Sequence, residues 1–249
     1  MSPRPRRESR RPGLAAVAED VGAGPPLILL HGLAGSARWW ARNIPALSRS
    51  FRVVALDLPG FGASARGGRL ILDEAAGEVA AAMDRLEIAR ASVIGHSMGG
   101  LIAAGLAADH PARVDRLVLV DAAFLSLRRS KVRSVSGPAV TLRWTAPSLL
   151  PIVLRDSLRS GPVRLADASI QVVRADWRAK LPAIEAPTLV IWGEHDGICP
   201  PIIGRRIVEA IPGSRLVVLQ GAAHNPMWEQ PDAFDREVLD FLAGAQNHP

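Results

Sequence analysis

The 249-residue sequence predicts an α/β fold, a mostly parallel β-sheet with helices packed on both faces. Two observations carry this expectation. Short apolar runs bounded by turn residues recur at 27–30, 51–56, 91–94, 117–120, 188–192 and 216–219, which is the pattern of buried strands. Segments with helical spacing lie between or after them. Residues 73–88 put Ala76, Val79, Ala80, Met83 and Leu86 on one face, and residues 98–109 do the same with Leu101, Ile102, Gly105 and Leu106. Residues 232–242 gather Phe234, Val238, Leu239 and Phe241.

The alternation stops between about 124 and 182. That stretch is rich in Arg, Pro, Leu and Ser, and Pro138, Pro147, Pro151, Pro162 and Pro182 divide it into short helices. Strand–helix rhythm resumes at Pro187. The chain therefore divides into a basic tail (1–12), a core (13–123 and 183–249) and a helical insertion (124–182).

Charge is distributed unevenly. The total is +6, yet the tail holds +4 and residues 125–182 hold +8, so the rest of the chain is acidic at −6. A sequence pI near 10.9 therefore does not mark a nucleic-acid-binding surface. Arg128, Arg129, Lys131 and Arg133 form the densest basic cluster, read as a solvated face or as a weak contact for anionic surfaces. The tail has no apolar stretch behind its arginines that would make an export signal. The apolar runs are far shorter than a membrane span. One cysteine, Cys199, excludes an internal disulfide and fits a reducing, cytoplasmic setting. Mean hydropathy of +0.15 fits a sizeable core.

The sharpest chemical signal is Gly95-His96-Ser97-Met98-Gly99 between a strand and a helix. A serine at such a turn is lifted out over the sheet's carboxyl edge, and side chains at Gly95 and Gly99 would collide with strand and helix. The helix start behind it favours negative charge. Acyl transfer also needs backbone N–H donors aimed at the developing oxyanion. Met98, directly after the serine, supplies one, and the strand end His31-Gly32-Leu33 supplies the other through Leu33.

A serine hydroxyl needs a base, and the base needs a carboxylate to fix its tautomer. Of six histidines, His224 lies in a loop directly after the strand at 216–219, where open α/β sheets build their sites. His31 reads as structural, and His96 as pointing away from Ser97. Asp196 follows the strand at 188–192, and the order Ser97, Asp196, His224 suits this chemistry. Asp121, at the end of the strand at 117–120, is a rival acid; Asp57 reads as holding its own turn. Leu33, Trp39, Phe124, Trp144, Leu149, Trp177 and Trp228 are the candidate pocket walls. No histidine pair has metal-ligand spacing and no phosphate-cradling motif is visible, so no metal or cofactor is expected.

These stations, together with Asp57-Leu58-Pro59-Gly60-Phe61-Gly62 and Trp192-Gly193-Glu194-His195-Asp196, resemble the α/β-hydrolase superfamily from about residue 14 to 244. The resemblance implies an eight-stranded, mostly parallel sheet with a small helical cap at 124–182. Ser97 argues against its dehalogenase and epoxide-hydrolase branches, which use an aspartate nucleophile. His224-Asn225-Pro226-Met227-Trp228-Glu229 looks similar to the Trp–Glu pair of carbon–carbon bond hydrolases acting on ring-cleavage products, whereas His96 looks like the common esterase pattern. The leading expectation is a serine hydrolase of a small, largely apolar carboxylic ester. Carbon–carbon hydrolysis by the same three residues, a lyase or perhydrolase variant, and a non-catalytic ligand-binding protein are the alternatives. The expected partner is a small-molecule substrate, and the expected assembly a monomer or homodimer.

Overall fold

A computed structural model describes residues 15–127 and 137–244. The basic tail, the cluster at Arg128–Arg133 and His248 lie outside the described residues. Seven strands form one sheet: β1 (Ala16–Val21), β2 (Pro26–Leu30), β3 (Arg52–Asp57), β4 (Ala91–His96), β5 (Val114–Val120), β6 (Thr188–Gly193) and β7 (Arg215–Leu219). Their order is β1-β3-β2-β4-β5-β6-β7, with β1 antiparallel to β3 and every other pair parallel. The described sheet thus has seven strands and not the expected eight. All six strands expected from the sequence are present, and β1 is an addition at the edge. Its AVAEDV sequence exposes Glu19 and Asp20, so it lacks the apolar run that marks a buried strand.

Nine α-helices are described: α1 (Ile44–Leu47), α2 (Ala75–Arg85), α3 (Met98–Asp109), α4 (Gly137–Trp144), α5 (Leu150–Ser160), α6 (Pro162–Arg174), α7 (Ile202–Ala210), α8 (Pro226–Glu229) and α9 (Pro231–Ala243). Alternating residues of the central strands face opposite sides. Ile28, Leu30, Val54, Leu56 and Val93 pack toward α2 and α3, while Leu27, Leu29, Val53, Ile94 and Val118 join Trp40, Phe234 and Val238 on the other side. Helix α3 is buried from Met98 to Ala107, as the apolar sequence there requires. The chain runs from β2 to β3 on one side and then crosses to β4 on the other. A crevice opens at such a reversal, outside the carboxyl ends of the strands.

Between β5 and β6 no described residue is in a strand, and the prolines there open helices as well as ending them. Pro151 and Pro162 occupy the first turns of α5 and α6, where the missing N–H costs nothing. Four anchors hold these helices to loops at the carboxyl edge of the sheet. Ser36 Oγ donates to buried Asp156 of α5 at 2.6 Å. Leu72 N donates to Gln171 Oε1 of α6 at 2.8 Å. Gly197 N donates to Thr141 Oγ1 of α4 at 2.9 Å. Trp228 Nε1 donates to Ser148 Oγ at 3.1 Å. The anchored loops follow β2, β3, β6 and β7, so the insertion spans the edge at which β4 ends.

Candidate active site

Ser97 sits between β4 and α3 with φ 53° and ψ −115°, a conformation sparsely populated by non-glycine residues. Its own backbone bonds hold it there. Ser97 N donates to Val120 O at 2.9 Å, and Ser97 O accepts from Gly100 N at 2.9 Å and Ala123 N at 3.1 Å. The flanking glycines have the steric reason expected. A Cβ on Gly95 would stand 2.3 Å from Gly99 O, and one on Gly99 would stand 2.5 Å from Leu30 O. A Cβ on Gly32 would meet His96 Nδ1 at 2.7 Å and Ser97 Cβ at 3.1 Å, so a bare backbone is what brings the β2 loop up to the serine.

The turn delivers the hydroxyl to an imidazole. Ser97 Oγ lies 3.0 Å from His224 Nε2, and His224 Nδ1 lies 2.7 Å from Asp196 Oδ2. All three residues are buried. The other oxygen of Asp196 accepts from Ile198 N at 2.8 Å and Cys199 N at 2.9 Å, which fixes the carboxylate and leaves Oδ2 for the histidine. Asp196, and not its rival Asp121, therefore contacts His224.

Asp121 has another place. It is wholly buried with φ 43°, and its Oδ1 accepts from Gly193 N at 3.0 Å. Its Oδ2 has no donor, and the Asp196 carboxyl is within hydrogen-bonding reach. Burial, and then the charge of Asp196, push the Asp121 carboxyl well above the usual carboxylate range. Held neutral, it becomes the donor that two facing carboxylates lack.

Two histidines support the site from below. His31 Nδ1–H donates to Gly32 O at 2.8 Å while its Nε2 accepts from Leu58 N at 3.0 Å, tying the β2 loop to the turn after β3. Burial keeps its pKa lowered. Asp57 holds that turn, accepting from Ala37 N at 2.8 Å and Ala63 N at 2.6 Å. His96 Nε2–H donates to the carbonyl of His224 at 2.6 Å. Burial, followed by the neighbouring His224, puts His96 well below its usual pKa, so it stays neutral with Nδ1 bare. The sequence did not reveal that the ring of His96, expected to point away from Ser97, reaches the backbone of His224. Glu229, half-buried, accepts from Ala223 N at 2.5 Å beneath the His224 loop, and burial lifts its pKa to about 7.

The expected wall residues separate into two groups. Leu33 is half-buried beside the serine, and the Trp39 ring lies 5.6 Å from that of His96. Phe124 is buried one residue after Ala123, whose N–H binds Ser97 O. Trp228 is tied to Ser148, adjacent to buried Leu149, and Arg42 stacks over its indole at 4.5 Å. Trp144 instead lies 43% exposed, stacked on His195 at 3.9 Å. Trp177 packs on Gly105 of α3, about 12 Å along that helix from its serine end, because the insertion's last segment returns alongside α3. Trp177 is therefore carried away from Ser97, whereas Trp144 lies against the residue next to Asp196. Among the described residues one group could offer three metal ligands, Asp196, Cys199 and His224. Two of these already share a hydrogen bond, which accounts for their closeness without an ion.

Comparison with known proteins agrees with this architecture. The model of the alpha/beta hydrolase fold family matches residues 25–143 and 157–231. The chain belongs to this family. It is 31% identical over 261 residues to 2-hydroxy-6-oxononadienedioate/2-hydroxy-6-oxononatrienedioate hydrolase of Cupriavidus pinatubonensis, covering 90% of this chain and 89% of that one. It is 30% identical over 269 residues to pimeloyl-[acyl-carrier protein] methyl ester esterase of Neisseria meningitidis, covering 98% and 83%. It is also 34% identical to the dihydrolipoyllysine-residue acetyltransferase component of the acetoin cleaving system of Pseudomonas putida, but spans only 64% of that longer chain. Among solved structures, a hydrolase from Pseudomonas aeruginosa superposes with a TM-score of 0.74 at 34% identity, over 89% of this chain and 91% of that one. The relatives of this alpha/beta hydrolase therefore include a methyl ester esterase and a hydrolase of 2-hydroxy-6-oxo dienedioates.

Proposed function

We propose that this alpha/beta hydrolase cleaves a small, largely apolar carboxylic ester through an acyl-enzyme formed on Ser97. The observation that carries the reading is the continuous chain Asp196–His224–Ser97, ending in a strained, buried serine at the head of α3. His224 Nε2 takes the hydroxyl proton as Oγ attacks the carbonyl, and Asp196 Oδ2 holds Nδ1–H and stabilises the imidazolium. The oxyanion is received by the N–H of Met98, which as the first residue of α3 has no intrahelical acceptor, and by the N–H of Leu33. His224 then returns the proton to the departing alkoxide. Water, deprotonated by the same nitrogen, releases the acid and restores the serine.

Helices of residues 124–182 act as the cap, and Leu33, Trp39, Phe124, Leu149 and Trp228 form the apolar walls. The site needs no metal or cofactor for these steps, and the cytoplasm suits a chain with a single cysteine. Among the described residues no helix is long and apolar enough to cross a membrane.

Carbon–carbon hydrolysis is the second reading. Trp228 and Glu229 follow His224 closely and lie against its loop, and a ring-cleavage hydrolase is among the relatives. Turnover of short p-nitrophenyl esters, absent in Ser97→Ala, with no reaction on vinylogous diketone acids, supports the ester reading. Reaction on the diketone acids alone supports the second.

A further inference from the structure

Helices α5 and α6 are joined by a single residue, Gly161, whose φ of +79° suits a glycine. Each helix has a face that the core explains. Asp156 and Ser160 of α5 and Ala168 and Val172 of α6 are buried. The opposite face is unexplained by the fold. Leu150, Leu154 and Leu158 recur at four-residue spacing along α5, and Val163, Ile170 and Val173 continue the stripe on α6. Their side chains are 43% to 80% exposed, highest at Leu158 and Val163 beside the turn. Apolar exposure this continuous marks an interaction site, because scattered single residues are the ordinary case.

The charges beside the stripe identify what it fits. Arg155 and Arg159 flank the leucines and Arg174 flanks the stripe on α6, all exposed, whereas Arg164, one turn before buried Ala168, lies against the Gly60 turn. None of these three stripe-side arginines forms an ion pair among the described residues. The two carboxylates of these helices are otherwise engaged, Asp156 by Ser36 and Arg38, Asp167 by Arg69. A second copy meeting this face across a two-fold axis would bring the same apolar and cationic groups to the seam, with no free carboxylate of these helices to answer the arginines. An anionic bilayer offers the opposite: hydrocarbon for the stripe and lipid phosphates for guanidinium groups held at its margins.

We infer that the exposed face of the α5–α6 pair is a docking surface for an anionic lipid bilayer, with Leu158 and Val163 entering first. The inference does not depend on the chemistry at Ser97. It extends to described residues the anionic-surface contact suggested by the charge of the insertion.

The test is flotation of the full-length chain with vesicles of equal parts phosphatidylglycerol and phosphatidylcholine, against vesicles of phosphatidylcholine alone. The inference expects binding to the anionic vesicles that weakens with added salt. Leu158→Asp with Val163→Asp should lower the partition at least about tenfold, and each of Arg155→Gln and Arg159→Gln about fivefold. Hydrolysis of a water-soluble ester should be unchanged in these variants. No binding to anionic vesicles overturns the inference. So does binding that survives all four substitutions, which would place the contact on the basic segments at 1–12 or 128–133. If sedimentation instead shows a dimer that Leu158→Asp with Val163→Asp dissociates, the face belongs to a second copy and the inference fails.

Discussion

The ring of His96 donates to the main-chain carbonyl of His224 at 2.6 Å, so the residue before the nucleophile positions the loop of the base. The two rings lie 5.0 Å apart, and the lowered pKa of His96 keeps a second positive charge away from the imidazolium that forms on His224. Removing this bond frees the loop while leaving all three reacting side chains in place. We expect His96→Ala to lower kcat about 10- to 100-fold with KM little changed, since an ångström of misplacement costs that much. Steady-state kinetics on an ester substrate checks this, and an unchanged kcat would remove His96 from the positioning role.

Asp196 should matter more than any residue outside the serine and histidine. Asp196→Asn keeps the shape of the side chain but can no longer hold Nδ1–H in the required tautomer. A fall in kcat of about 10⁴-fold is expected, measured under saturating substrate. Retention of activity within tenfold would mean that Asp121 supplies the acid instead.

Asp121 faces Asp196 as a neutral acid, and that makes its two simplest substitutions diverge. Asp121→Asn retains a neutral donor toward Asp196 and should preserve kcat within about threefold, with the acidic limb of the pH–rate profile in place. Asp121→Ala removes the donor and leaves Gly193 N–H without its acceptor, a buried loss of about 1–3 kcal/mol. It should lower thermal stability as well as activity. If Asp121 were ionised in the native protein, Asp121→Asn would shift the acidic limb, because a negative charge beside Asp196 would have been removed.

Glu229 links the site to pH-dependent stability. Its folded pKa of about 7 lies above its ordinary value, so the folded chain binds more protons than the unfolded chain between the two. Stability therefore falls as pH rises through that window, and Glu78, also raised to about 7, acts in the same direction. Glu229→Gln imitates the protonated form and keeps an oxygen for Ala223 N. It should stabilise the protein by about 1–2 kcal/mol at pH 8 and change little at pH 5. Chemical denaturation at the two pH values reads the difference, and equal effects at both would contradict the assignment.

Much of this organisation is legible in the sequence because the decisive residues sit beside strong local patterns. Six strands announce themselves as apolar runs, and Ser97, Asp196 and His224 each follow one of them. β1 escapes because Glu19 and Asp20 interrupt its apolar positions on the sheet's edge. Relationships across strands are the other gap. Asp121 and Asp196 are 75 positions apart and meet because β5 and β6 pair, with Val120 beside Ile191. Likewise, His96 reaches His224 only because the β7 loop folds back over β4. The tryptophans show the same limit: nothing local tells that Trp228 of α8 is tied to Ser148 of the insertion while Trp144 stacks on His195 and Trp177 on α3.

The central claim is that Ser97 is an activated nucleophile, and its most direct test is labelling of the purified protein with a fluorophosphonate, followed by peptide mapping. Covalent modification at Ser97, lost in Ser97→Ala and in His224→Ala, is the result expected from the geometry. A folded protein that takes no label, or takes it at another residue, would contradict the account.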